Sequence, residues 1–127
     1  MKLGYTILYV EDVKTTLDFY QKAFGLATRF LHESGSYGEL ETGATALAFS
    51  SRQLMTQLKK NPATADPRSP CFEIALVTQD VPAAVARATA AGAQLIQQPE
   101  QMPWGQTVAY VADLDGFLVE ICTAVGG

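Results

Sequence analysis

The alternation of apolar and polar positions divides the chain into short elements. Tyr5 to Val10 is rich in aromatic and β-branched residues and reads as a strand, with Tyr5, Ile7 and Tyr9 on one face. The period then changes. Val13, Leu17, Tyr20 and Phe24 recur at helical spacing, Asp12 stands at the N-cap and Gly25 at the C-terminal end, so a helix is predicted over 13–24. Three strand-like runs follow at 27–33, 37–41 and 45–50, separated by Ser34-Gly35-Ser36 and Thr42-Gly43-Ala44. Residues 51–60 suit a short helix. Residues 61–70 contain Pro62, Pro67 and Pro70 and read as a linker.

Beyond the linker the order of elements starts again. A strand is predicted over 71–78, and Asp80 caps a helix that carries Pro82 in its first turn and Val81, Val85 and Ala88 on its inner face. Gly92 ends that helix. Strands are then predicted over 93–98, 106–112 and 117–123, the last two joined by a turn at Asp113-Leu114-Asp115-Gly116. Asp12 aligns with Asp80 and Gly25 with Gly92, so the chain reads as two copies of a βαβββ unit. One helix covers only one face of a four-stranded sheet, which leaves the second face for another unit, another chain or a ligand. The second helix is alanine-rich, which favours the helix but makes it a thin layer that approaches its sheet closely.

Composition narrows the function. The 127 residues fit one domain with an ordinary core, being 48% apolar and 17% charged. A net charge of −4 and a pI near 4.8 disfavour nucleic acid, which needs clustered Lys and Arg, and fit a neutral or cationic small ligand better. No apolar run reaches the roughly 20 residues that span a bilayer, and Met1-Lys2 leads directly into strand-like sequence, so a cytoplasmic protein without membrane contact is expected. Cys71 and Cys122 are too few for a zinc motif or a disulfide framework, and two reduced, mostly buried thiols are expected. His32 is the only imidazole and is expected at the surface; it completes no nucleophile-base pair.

The run Tyr9-Val10-Glu11-Asp12-Val13, with Leu17-Asp18-Phe19-Tyr20 and Phe24-Gly25-Leu26, resembles the vicinal oxygen chelate superfamily, as does Trp104-Gly105-Gln106 followed by Asp113 to Glu120. That superfamily includes glyoxalase I, extradiol dioxygenases and bleomycin-resistance proteins. The resemblance implies an α+β fold: tandem βαβββ repeats form curved mixed sheets around a cleft, with helices on the outer faces. One glyoxalase/bleomycin-resistance-like domain over 1–127 is expected, made of modules at about 1–51 and 70–127. It also implies a homodimer.

In metal-dependent relatives the first and last strands of each repeat supply the ligands. By position these fall on Tyr5, Glu73, Glu120 and Ala48. Two carboxylates, a phenol and a methyl group lack the imidazole on which zinc and nickel sites depend, so no metal ligand and no cofactor is assigned; a divalent metal at Glu73 and Glu120 is the alternative. Glu73 and Glu120 are the candidate catalytic pair or the acidic wall for a cation. Tyr5, Ile7, Tyr9, Phe49, Trp104, Tyr110 and Cys122 are the ligand-binding candidates, with Trp104 as a lid over an aromatic group. The function these imply is that of a metal-free binder of cationic or aromatic small molecules, resembling bleomycin-resistance proteins. The alternative is a metal-dependent glyoxalase-like lyase or isomerase.

Overall fold

The structure is a computed structural model that describes residues 1–126. The order of elements is β1 (Tyr5–Val10), α1 (Val13–Phe24), β2 (Thr28–Leu31), β3 (Tyr37–Leu40), β4 (Ala46–Ser51) and α2 (Arg52–Gln57). There follow β5 (Ile74–Val77), α3 (Val81–Ala90), β6 (Gln94–Gln101), β7 (Thr107–Ala112) and β8 (Leu118–Cys122). The chain divides into two compact units, Met1–Thr64 and Ala65–Gly127. Each unit has its own four-stranded mixed sheet, ordered β1-β4-β3-β2 in the first and β5-β8-β7-β6 in the second. In both, the first strand runs parallel to the last and the other pairs are antiparallel. This is the predicted α+β architecture, built from repeated βαβββ units.

In the first unit α1 covers one sheet face. The Asp12 carboxylate accepts from the Thr15 N–H at 3.3 Å and caps the helix. Gly25 ends it at φ 73°, the left-handed conformation that glycine adopts without strain. Val13, Leu17, Tyr20 and Ala23 are buried against Leu8, Val10, Leu40 and Phe49 of the core. The Tyr20 and Phe49 ring centroids are 5.0 Å apart. Each side chain of this size contributes roughly 1.5–3 kcal/mol when fully buried. Gly38 of β3 lets the helix come close, because a Cβ there would lie 2.7 Å from Leu17 Cδ1. α2 begins on Ser51, whose hydroxyl accepts from Leu54 N–H.

In the second unit α3 starts on Asp80, whose carboxylate accepts from Ala83 N–H at 3.1 Å. Val81, Val85 and Ala88 are its buried residues, as their spacing predicts, while Ala83, Ala86 and Ala90 are exposed, so the packing face consists of two valines and one alanine. The turn between β7 and β8 is held by the Asp113 carboxylate, which accepts from the backbone of Asp115 and Phe117, each at 2.9 Å. Gly116 has φ 90° there, and a Cβ on it would lie 2.5 Å from the Ala65 carbonyl oxygen. Residues 65–67 therefore pack on this turn. The boundary between units falls at Thr64 and Ala65, inside the stretch read as a linker.

Two strands differ from the sequence reading. β5 begins at Ile74, with Ile74 opposite Val119 as the first rung of its ladder, so Glu73 lies one residue ahead of the strand. β6 continues through Pro99 to Gln101; an edge strand tolerates a missing N–H, and the register shifts on either side of Gln97 absorb the irregularity.

Candidate functional site

The pairing registers show which side chains share the sheet face that no helix covers. In the second unit Glu120 is opposite Ala75 on β5 and Tyr110 on β7, while Cys122 is opposite Val77 and Val108. Val119 and Ile121 point the other way and are buried. Alternation along β8 therefore places Leu118, Glu120 and Cys122 on the open face. Glu73 joins them, and burial followed by the charge of Glu120 raises its carboxyl above the usual glutamate range.

The Tyr110 hydroxyl donates to Glu120 Oε1 at 3.0 Å. Burial first, then that hydrogen bond and the charges of Glu120 and Glu73, push the phenol up to about 12. Burial also pushes the Cys122 thiol up to about 11, reinforced by Glu120 and opposed by Gln106. At neutral pH both groups are protonated donors, and neither is a nucleophile. Among the described residues neither Glu73 nor Glu120 has a Lys or Arg nitrogen within 4 Å.

Trp104 stands in the loop ahead of β7 and is 64% exposed, with its indole N–H donating to Gln106 Oε1 at 2.8 Å. Gln106 is a buried polar residue that the sequence reading passed over. Counting back by twos from Tyr110 through Val108 reaches Gln106, and that period was the available signal.

The open face of the first unit is different. Tyr5 and Ile7 are exposed there opposite Ala46 and Ala48, and Tyr9 is opposite Ser50. Tyr9 is already engaged: Lys60 Nζ is 3.3 Å from its hydroxyl and 5.5 Å from its ring centroid. Phe49 is not a lining residue. It alternates with Ala48, points toward α1 and is fully buried against Tyr20.

The two units correspond position by position. Ile7 is opposite Ala48 as Ala75 is opposite Glu120, so the place of Glu120 is filled by a methyl group in the first unit. The first unit's carboxylate is one strand over, at Glu39 on β3. It accepts from the Tyr37 hydroxyl at 2.8 Å and has Arg29 Nε at 3.7 Å. Burial and then the bond to Glu39 push Tyr37 up to about 12. The sequence reading missed both Tyr37 and Glu39. Cys71 is exposed, contrary to expectation, while Cys122 is buried. His32 is at the surface as expected, its Nδ1 2.8 Å from the Ser34 hydroxyl in the turn before β3.

The donors do not make a typical divalent site. Among the described residues no three His, Cys, Asp or Glu side chains converge as a metal-holding group. The carboxylates at Glu73 and Glu120 are accompanied by a phenol and a thiol that are both protonated at neutral pH. Zinc and nickel sites rely chiefly on imidazole or thiolate, with carboxylates beside them, and magnesium or manganese on a fuller set of oxygens than this pair supplies.

Two mixed-sheet units of this topology, each with one helix-covered and one open face, define the class of a glyoxalase-fold protein. A glyoxalase-like domain model matches residues 3–126, and the chain belongs to that family, within the vicinal oxygen chelate superfamily. Among solved structures, it is similar to a glyoxalase-related enzyme from Fulvimarina pelagi at 23% identity and a TM-score of 0.84, over 98% of this chain and 88% of that one. A glyoxalase/bleomycin resistance protein/dioxygenase family enzyme from Burkholderia phytofirmans PsJN aligns at 21% identity and a TM-score of 0.81, over 97% and 98%. A protein of unknown function from Agrobacterium tumefaciens strain C58 aligns at 26% and 0.77, over 98% and 94%. No curated protein sequence matches significantly. Among the described residues no helix is long and apolar enough to cross a membrane.

Proposed function

We propose that the protein is a small-molecule binder that holds an organic cation against Glu73 and Glu120 without a metal ion, in the manner of a bleomycin-resistance protein. The observation that carries this reading is the contrast between the two open faces. Glu39 in the first unit has Arg29 beside it, whereas among the described residues Glu73 and Glu120 share a face with no Lys or Arg nitrogen within 4 Å. A carboxyl whose proton affinity is raised by a neighbouring carboxylate, as that of Glu73 is by Glu120, is relieved by an added positive charge. Tyr110 and Cys122 supply hydrogen bonds to Glu120, and Trp104 offers an aromatic face for a flat substituent on the ligand.

Calorimetric titration with trimethyl(phenylbutyl)ammonium tests it. Binding to the wild type that weakens on the order of tenfold to a hundredfold in Glu120→Gln is expected, since a contact to a charged partner is worth about 1.5–3 kcal/mol. Equal affinity in both proteins would remove the carboxylate from the account.

One feature favours the second reading, a lyase or isomerase. Glu73, with its raised proton affinity beside Glu120, is the kind of pair that divides acid and base roles. Turnover of a 2-oxoaldehyde hemithioacetal that is abolished in both Glu73→Gln and Glu120→Gln would establish it.

A further inference from the structure

The second unit's polar groups form two hydrogen-bonded runs, one from Trp104 through Gln106 to the Thr123 carbonyl and one from Tyr110 to Glu120, with the Cys122 thiol between them. A tryptophan N–H only donates, and a carboxamide has one accepting oxygen and one donating NH2. The bond from Trp104 Nε1 to Gln106 Oε1 therefore fixes which way the amide faces. Gln106 Nε2 then donates to the Thr123 carbonyl at 2.8 Å, and the Cys122 thiol lies within hydrogen-bonding contact of both Gln106 and Glu120. Tyr110 meets Glu120 from the neighbouring strand. The Thr123 hydroxyl also accepts from Thr107 N–H at 3.0 Å, which locks the end of β7 to the chain just past β8. The Trp104 ring projects into solvent, yet its nitrogen is tied through a buried side chain to the backbone that carries Glu120. Glu120 and Thr123 are three residues apart, on the order of 10 Å at a strand rise of about 3.4 Å per residue.

We propose that Gln106 is a positioning residue that holds the Trp104 ring at a set distance from Glu120, so that the site selects a cation bearing an aryl group on a short spacer over a bare ammonium. This rests on the cation-binding reading above. Gln106 touches no ligand; it acts through Trp104. The consequence is a division of labour: the carboxylates recognise charge, and the tethered indole recognises the substituent. An untethered ring would give up more conformational freedom on binding and discriminate less.

The test compares tetramethylammonium with trimethyl(phenylbutyl)ammonium by calorimetry in the wild type, Gln106→Met and Trp104→Phe, together with time-resolved fluorescence anisotropy of Trp104, the chain's only tryptophan. The wild type is expected to bind the aryl probe about tenfold more tightly than tetramethylammonium. In Gln106→Met that ratio falls toward one because the aryl probe loses more affinity than tetramethylammonium does, and the indole gains a fast local motion. Trp104→Phe, which keeps a ring and loses the N–H, shows the same fall; being an exposed position, it decides the matter should Gln106→Met not fold. A ratio indifferent to both substitutions, or an indole equally restrained without Gln106, overturns the assignment while leaving cation binding intact. If neither ammonium binds the wild type, the cation reading itself fails and this selection falls with it.

Discussion

Glu73 and Glu39 are both glutamates on open sheet faces, and their surroundings give them opposite consequences. Glu39 has Arg29 and Tyr37 as partners, whereas Glu73 is exposed, with partial desolvation of its carboxyl and a neighbouring negative charge. A carboxyl whose folded pKa lies above its unfolded value contributes stability below the unfolded value and loses it as pH rises through the folded value. Glu73→Gln is therefore expected to stabilise the protein at neutral pH, with the gain vanishing as pH falls toward the ordinary glutamate range; urea midpoints at several pH values check this. The same protonation competes with a bound cation, so affinity for an ammonium should decline as the solution is acidified through that window. The thiols separate as sharply. Cys122 is buried and protonated up to about 11, while Cys71 is exposed. Mass spectrometry after brief iodoacetamide treatment of the native protein should find Cys71 alkylated and Cys122 intact.

The residue scale is also where the sequence was least informative. Alternation along β8 was enough to put Glu120 and Cys122 on one face, since Val119 and Ile121 supplied the buried counterpart. Phe49 was misread because a large ring in an apolar strand carries no mark of which face it takes; only the register against Ile7 and Leu8 assigns Ala48 to the open side. Gln106 shares the period-two face of Tyr110 and Val108, but a glutamine just ahead of a strand does not show its role until its hydrogen bonds to Trp104 and Thr123 are seen.

Elements were more legible. Asp12 and Asp80 cap helices as their positions suggested, and the helical stripes beginning at Val13 and Val81 are the buried ones. The ends of strands were harder to read, because they depend on partners distant in sequence: β5 starts late with its parallel partner β8, and β6 runs on past Pro99 at a sheet edge. The turn before β8 allows a controlled experiment. Gly116 and Gly35 both have positive φ, 90° and 75°, but a Cβ on Gly35 meets nothing within 4 Å whereas one on Gly116 meets the Ala65 carbonyl. Gly35→Ala is expected to cost about 1 kcal/mol and Gly116→Ala at least about 2–3 kcal/mol, read from urea unfolding. Equal losses would mean that residues 65–67 do not pack firmly on the turn.

For the whole molecule, the repeat of one βαβββ order is what made the family recognisable in the sequence, and the same repeat gives each unit a sheet face that its own helix does not cover. Tyr5, Ile7 and Phe30 on the first unit's sheet and Val77 on the second's are exposed apolar residues. We propose that a second copy of the chain contributes to covering such faces; light scattering coupled to size exclusion should give twice the 13.7 kDa chain mass. On the proposed reading, Glu73 and Glu120 serve an organic cation and not a metal ion. Elemental analysis of the purified protein, before and after incubation with Ni, Zn, Mn and Fe(II) and beside Glu120→Gln, tests it most directly. The expected result is no stoichiometric metal in either protein under any condition. One equivalent in the wild type that is lost in Glu120→Gln would contradict it and make the carboxylate pair the core of a chelate enzyme.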